Sequence, residues 1–208
     1  MDSWEDMGGS TDVFTIRNDW DAQPTQGLDP FRTVIQAPGT GINLRNITDD
    51  VQISFTMHFC QKDKNDENTL LNFFNSHRGR ANAFWFPIPR NYWTLNTDTD
   101  PGTPNFLVLD NTDPQWLHGW ERMFVLLKNG DYIGRQIASI ATPGGSGLPN
   151  LMTVVTALDR VVKVQDVETF GRLLLCRFDQ DELELKHVTT AQSEVDIAFK
   201  ELPKEYPI

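Results

Sequence analysis

A mainly β fold, a sandwich or barrel with one flanking helix and a small β insertion, is what this sequence predicts, and three observations carry it. Val51 to Cys60 alternates strictly, with Val51, Ile53, Phe55, Met57 and Phe59 on one face and Gln52, Ser54, Thr56, His58 and Cys60 on the other. Period two over that length marks a strand with one buried face. The C-terminal part repeats the pattern: Leu183 and Leu185 alternate with Glu182, Glu184 and Lys186, and Val195, Ile197 and Phe199 with Glu194, Asp196, Ala198 and Lys200. Between these stretches lies one helical stripe, Leu70, Leu71, Phe73 and Phe74.

The elements follow in chain order. Residues 1–30 hold Asp2, Glu5, Asp6, Asp12, Asp19, Asp21 and Asp29 against one base, Arg17. Trp4, Phe14, Trp20 and Phe31 are scattered there without periodicity. Such a segment is a poor core of its own. Two readings stand open: an arm whose aromatics anchor in grooves of a neighbour and order on assembly, or a segment folded onto its own domain. Residues 36–46 (QAPGTGINLRN) carry turn residues and read as a loop. After the strand, the charged run Lys62 to Asp66 forms a turn. Asp66 is the candidate N-cap and Glu67 suits the helix dipole, giving a helix over 67–78. Gly79 suits the left-handed position that ends it. The helix is short, so docking of its stripe on a sheet must stabilise it.

Phe84 to Phe86 then read as an aromatic strand, in which Trp85 and Phe86 alternate faces. One should be core and the other is a candidate interface residue, because aromatics are enriched at interface hot spots. Residues 94–105 form a polar loop and Phe106 to Asp110 a short strand. Met123 to Leu127 and Tyr132 to Ile140 flank Asn129-Gly130 and predict a hairpin with a type I′ turn. Pro143 to Pro149 is a glycine-rich loop, Leu151 to Leu158 a strand and Arg172 to Phe178 a largely apolar strand. The expected organisation is an N-terminal arm and loop over 1–45, a β core over 46–99 plus 165–208, and a β-rich insertion over 100–164.

Composition narrows the function classes. The chain has 208 residues, 18 Lys and Arg against 29 Asp and Glu, a net charge of -11 and a pI of about 4.7. It offers no Lys/Arg cluster, which argues against direct nucleic-acid recognition. No run approaches the roughly 18 apolar residues of a membrane span, so no stable membrane insertion is expected. The acidic start, MDSWEDMGG, lacks the apolar run of a secretory signal. The reading is a protein made in a cytosol that stays soluble until it finds its partners.

Catalytic signatures are missing from the sequence. Cys60 and Cys176 stand far apart without CxxC spacing, and His58, His77, His118 and His187 match no metal motif. His58 and Cys60 share a strand face, but two ligands are weak grounds for a metal. Gly144 to Gly147 lacks the lysine of a phosphate loop and fails G-x-S-x-G. Carboxylate pairs such as Asp49/Asp50 and Glu182/Glu184 are expected by chance in so acidic a chain. The Asn46-Ile47-Thr48 sequon is present without a secretory signal. The expectation is a non-enzyme with no cofactor and no metal. Arg78 and Arg80 flank Gly79 at the helix exit, where a guanidinium can pair with an acidic neighbour of the same or another subunit.

The segment LLNFFNSHRGRANAFWFPIPRNYWTL resembles tail-tip proteins of tailed bacteriophages and gene-transfer agents, in which a helix ending in an Arg-Gly-Arg-like turn leads into a Phe-Trp-x-Pro strand. Here those positions are Arg78, Gly79, Arg80, Trp85 and Pro87. The C-terminal LLLCRFDQDELELKHVTTAQSEVDIAFKELPKEYP is similar to the end of the same proteins. The resemblance covers roughly residues 45–95 and 165–207. It implies a tail-tube-like fold and a distal-tail or hub component. It further implies a virion protein, assembled in the bacterial cytoplasm as a ring, often a hexamer. Its partners would then be copies of itself, the tail tube, the tape-measure protein and the hub. The cysteine-rich iron–sulfur site of some hub relatives has no counterpart here. The N-terminal arm with Trp4 and Trp20 lies outside the shared pattern. The alternative is a β-sandwich carbohydrate-binding module, with Trp85, Trp93 and Trp116 stacking on sugars.

Overall fold

The computed structural model describes residues 3–4, 12–16, 25–36, 42–88, 90–100, 105–110, 122–141, 149–190 and 192–202, with the backbone alone for 3–4, 25–36 and 42–53. Its strands are β1 (Ser3–Trp4), β2 (Thr25–Gln36), β3 (Ile42–Gln61), β4 (Phe84–Pro87), β5 (Phe106–Leu109), β6 (Arg122–Leu127), β7 (Tyr132–Ala141), β8 (Asn150–Val154), β9 (Val167–Phe178), β10 (Lys186–His187) and β11 (Ser193–Glu201). One α-helix, α1 (Lys64–His77), stands among them in the described residues. The fold is mainly β with one flanking helix.

The chain divides into two compact units. The first takes residues 1–11, 85–174 and 207–208, and the second 12–84 and 175–206. The expected boundaries are 45/46, 99/100 and 164/165; the division falls at Thr11/Asp12, Phe84/Trp85 and Leu174/Leu175, with residues 207–208 returning to the first unit.

In the first unit β6 pairs antiparallel with β7 and with β9, β7 with β8, and β8 with β5. β1 adds to β7 in parallel. One core gathers Trp93, Leu107, Leu109, Met123, Val125, Ile133, Ile137, Met152, Val154 and Phe170. The β6–β7 turn corrects the expected type I′ geometry. Gly130 has φ 92 while Asn129 does not enter the positive region. The Leu127 amide bonds to Asp131 O at 2.9 Å and the Gly130 amide to Leu127 O at 2.8 Å. This is a three-residue loop ending on a left-handed glycine.

In the second unit β2 pairs with β3, β3 with β11, and β11 with the end of β9, all antiparallel. The expected alternation holds where it was strongest: Phe55, Met57 and Phe59 of β3 and Val195, Ile197 and Phe199 of β11 are buried. α1 docks Leu70 and Phe74 into this core, with Leu71 and Phe73 half-buried.

Four further expectations are corrected. The loop assigned to 36–46 is strand from Ile42 onward, because β3 begins there and pairs with β2. The helix spans 64–77, capped by Asp63 rather than Asp66. Asp63 is extended (φ -151, ψ 175) and its Oδ1 accepts the Asn65 and Asp66 amides at 2.8 and 2.9 Å. The alternating residues 182–185 form no strand, since only Lys186–His187 pairs with β11. Finally, β8 ends at Val154, short of Leu158.

Candidate assembly surface

The helix exit is built from Arg78, Gly79 and Arg80. Arg78 takes the left-handed C-cap (φ 52, ψ 47), and its amide bonds to Asn75 O and Phe74 O. Gly79 takes the left-handed position expected of it, at φ 58; Arg78 before it is left-handed as well. A Cβ on Gly79 would lie 3.1 Å from Gln180 O and 3.2 Å from Asp181 Cα, so the loop after β9 presses directly on its backbone. Arg80 closes the same contact. Its guanidinium donates to the Asp179 carbonyl, and its Nε lies 3.9 Å from both Asp179 Oδ1 and Asp181 Oδ2. The pairing left open by the sequence is therefore made within the chain for Arg80. Arg78 is exposed and pairs with no carboxylate among the described residues.

The aromatic strand is more enclosed than alternation predicted, because β4 is buried at all four positions. Trp85 is 0% exposed and carries the Arg122 guanidinium 4.4 Å above its ring; Phe86 is 3% exposed. Pro87 is buried at the end of the strand. Neither Trp85 nor Phe86 offers a face to a partner, which corrects the candidate-interface reading. Trp93 is 3% exposed and tilts against Phe170 at 5.5 Å. Trp4 has its backbone in β1, opposite Gly134. Trp20, Trp116 and Trp120 lie outside the described residues.

Two features had no sequence signal. The first is the length of the β2–β3 ribbon. β3 is 20 residues long, yet β11 pairs only with Ser54 to Gln61. From Ile42 to Ile53 its sole ladder partner among the described residues is β2, and the outer edge of β2 carries no strand. At about 3.3 Å per residue, roughly 40 Å of β3 runs as a two-stranded ribbon. The ladder breaks between Pro30 and Arg32, where proline cannot donate.

The second is a polar latch between helix and sheet. Glu67 is 6% exposed and accepts a hydrogen bond from Ser193 Oγ at 2.9 Å and one from Lys64 Nζ, with His187 Nδ1 at 3.8 Å. The Lys64 bond first, then the Ser193 bond, hold its carboxyl below the ordinary carboxylate value. Ser193 bonds to the carboxylate and not to an imidazole, so the group is not arranged as a nucleophile with its base.

His58 Nδ1 meets its cross-strand neighbour Asp196 at 2.9 Å. No group of three or more His, Cys, Asp or Glu suited to a metal occurs among the described residues. No helix of the described residues is long and apolar enough to cross a membrane. A scan against protein-family models finds no match, and no curated protein matches the chain.

Proposed function

We propose that this chain is a structural component of a phage-type tail tip, assembling as a ring that joins the tail tube to the hub and host-recognition apparatus. The observation that carries the proposal is the β2–β3 ribbon: among the described residues Ile42 to Ile53 pair with β2 alone and the outer edge of β2 carries no strand. Two strands alone are marginal in water, and an uncovered edge of this length is a template for another strand. Both costs fall if neighbouring copies in a closed ring cover the ribbon. The two motif segments around Arg78-Gly79-Arg80 and in the C-terminal strands support the same reading. The partners are further copies, the tail tube, the tape-measure protein and the hub; the place is the virion, after assembly in the bacterial cytoplasm.

The test is a shortened ribbon. Pro30 and Val51 are register partners, so replacing residues 31–50 by Asn-Gly closes the hairpin where its inner half ends. The full chain should form a closed ring by electron microscopy, with a mass by light scattering that is a multiple of 23.7 kDa. The shortened chain should keep its strand content and stay a monomer. A full chain that remains monomeric with tail-tube partners present defeats the proposal. So does a shortened chain that still forms rings.

A further inference from the structure

Two arginines of the first unit converge on one tyrosine. The Arg90 guanidinium carbon stands 5.5 Å from the centroid of the Tyr92 ring, and that of Arg172 5.6 Å. Backbone bonds fix this platform. The Ile88 amide bonds to Arg172 O at 3.1 Å, the Arg90 amide to Ile88 O at 2.7 Å and the Tyr92 amide to Phe170 O at 2.9 Å. Asn91 Oδ1 accepts the Phe170 amide at 2.9 Å. Gly171, next to Arg172, lets the stretch lie against β9, because a Cβ there would stand 2.7 Å from Arg90 O. Tyr92 is half-buried and packs against the core of the unit. Arg90 is exposed, and its guanidinium pairs with no carboxylate among the described residues. The chain has 29 Asp and Glu against 18 Lys and Arg, so carboxylates are not scarce; none is placed beside Arg90. A guanidinium stacked on a ring uses its face on the π-system and keeps the N–H donors of its edge for an oxyanion.

We propose that Arg90, Tyr92 and Arg172 form a recognition site for an acidic peptide segment of a partner protein, one that carries carboxylates on neighbouring side chains. Charge selects the class. Two cations gathered on one ring repel each other, and a partner bearing negative charge relieves that repulsion. The guanidinium fork pairs bidentately with a carboxylate. Two cations on two separate stretches, 88–93 and β9, ask for two carboxylates rather than one. The net charge of -11 opposes an acidic partner at long range, so its binding depends on this local pair. The inference uses no residue of the β2–β3 ribbon and is independent of the ring reading.

The test is a titration of the full chain into fluorescein-labelled hexaglutamate, followed by anisotropy, with hexaglutamine as the neutral control. Hexaglutamate should bind and hexaglutamine should not, and raising the salt from about 50 to about 300 mM should weaken binding several-fold. Arg90→Gln removes an exposed side chain that holds nothing else in place, so its circular dichroism should match wild type while its affinity falls about tenfold. Arg172→Lys keeps the charge and the stem but not the fork, and should weaken binding by a smaller factor. Lys62→Gln, which removes an exposed cation of the second unit, should bind as wild type does. Absence of hexaglutamate binding at low salt overturns the proposal, as does equal binding of hexaglutamine. So do wild-type affinity in both Arg90→Gln and Arg172→Lys, and a Lys62→Gln loss as large as that of Arg90→Gln, which would make the attraction one of general charge.

Discussion

Replacing Gly171 tests whether the chain after β4 crosses β9 as closely as the structure shows. Gly171 lies in β9 opposite Phe124. A Cβ placed on it would stand 2.7 Å from Arg90 O, 2.7 Å from Phe124 Cε1 and 3.1 Å from Ile88 O. Two effects oppose each other in Gly171→Ala. Glycine in a strand costs about 0.5–1 kcal/mol relative to alanine, so on propensity alone the substitution stabilises. Against it stands overpacking, typically about 1–3 kcal/mol. Phe124 can turn its ring aside. Arg90 O cannot move so easily, because Ile88 N is tied to Arg172 O at 3.1 Å and Tyr92 N to Phe170 O at 2.9 Å on either side. The steric cost therefore falls in its upper half, and the net loss should be roughly 1–2 kcal/mol. For a chain of this size that lowers the melting temperature by about 2–8 °C.

The assay is urea unfolding of wild type and Gly171→Ala, followed by circular dichroism, with Phe124→Leu and the double variant completing a cycle. Trimming the ring should relieve part of the clash, so the double variant should lose less than the sum of the singles. The residual loss is the share of the backbone carbonyl. A Gly171→Ala chain as stable as wild type, or more stable, would show that the carbonyls of Ile88 and Arg90 do not approach β9 this closely.

Three further outcomes follow from the helix, its latch and the thiols. Gly79→Ala places a side chain at φ 58 and 3.1 Å from Gln180 O, and should cost about 1–2 kcal/mol in urea unfolding; Gly79→Asn should cost less, because asparagine tolerates the left-handed region. Glu67 has its carboxyl held below the ordinary carboxylate value by Lys64 first and then Ser193, so its contribution is complete above the pKa of an unfolded glutamate, about 4.3, and lost as the pH falls through the folded value. The stability gap between wild type and Glu67→Gln should accordingly be constant from pH 7 to 5 and narrow towards pH 3; parallel curves down to pH 3 would refute the latch. Cys176 is fully buried, and burial first and the Glu201 charge second push its thiol up. A disulfide reagent should then modify one thiol, the half-buried Cys60, in the native protein and the second only on unfolding; equal rates for both would contradict the burial of Cys176.

How much of this was legible depended on whether burial left a local period. Residues 55–59 and 195–199 were readable because each strand has one face in the core. Ile42 to Asp50 shows no such period; its backbone is held by hairpin pairing with the preceding strand β2, and backbone pairing leaves no mark on side-chain order. Residues 182–185 fail in the opposite way: the alternation is present, yet no strand lies beside it, and Glu182 and Glu184 stay exposed. β4 misled because a strand covered on both faces still alternates in direction while every position is buried. The helix start misled because two aspartates stand three residues apart, and only the extended backbone at Asp63 decides which one caps. Phe14 is a single ring in an acidic stretch. It is buried among five rings drawn from 59 to 199, a convergence visible only after folding.

The same contrast weighs the assembly reading against sugar binding. Stacking on a sugar needs an exposed aromatic face. Trp85 lies under Arg122 at 0% exposure, and Trp93 is 3% exposed. Two of the three tryptophans that suggested sugar binding are thus committed to the first unit's interior. Assembly through the ribbon makes no such demand. It needs unsatisfied backbone donors and acceptors along an edge, and β2 supplies a length of edge that no other described strand covers. β5, the other end of the same strand order, is different. Leu95 bridges to Leu109, the Asn96 amide bonds to Val108 O at 2.8 Å and the Asp110 amide to Thr94 O at 3.0 Å. Among the described residues, one terminal strand is sealed by its own chain and the other has no strand on its outer edge. An edge without a partner strand is a template for another strand, and that is the feature on which the ring proposal rests.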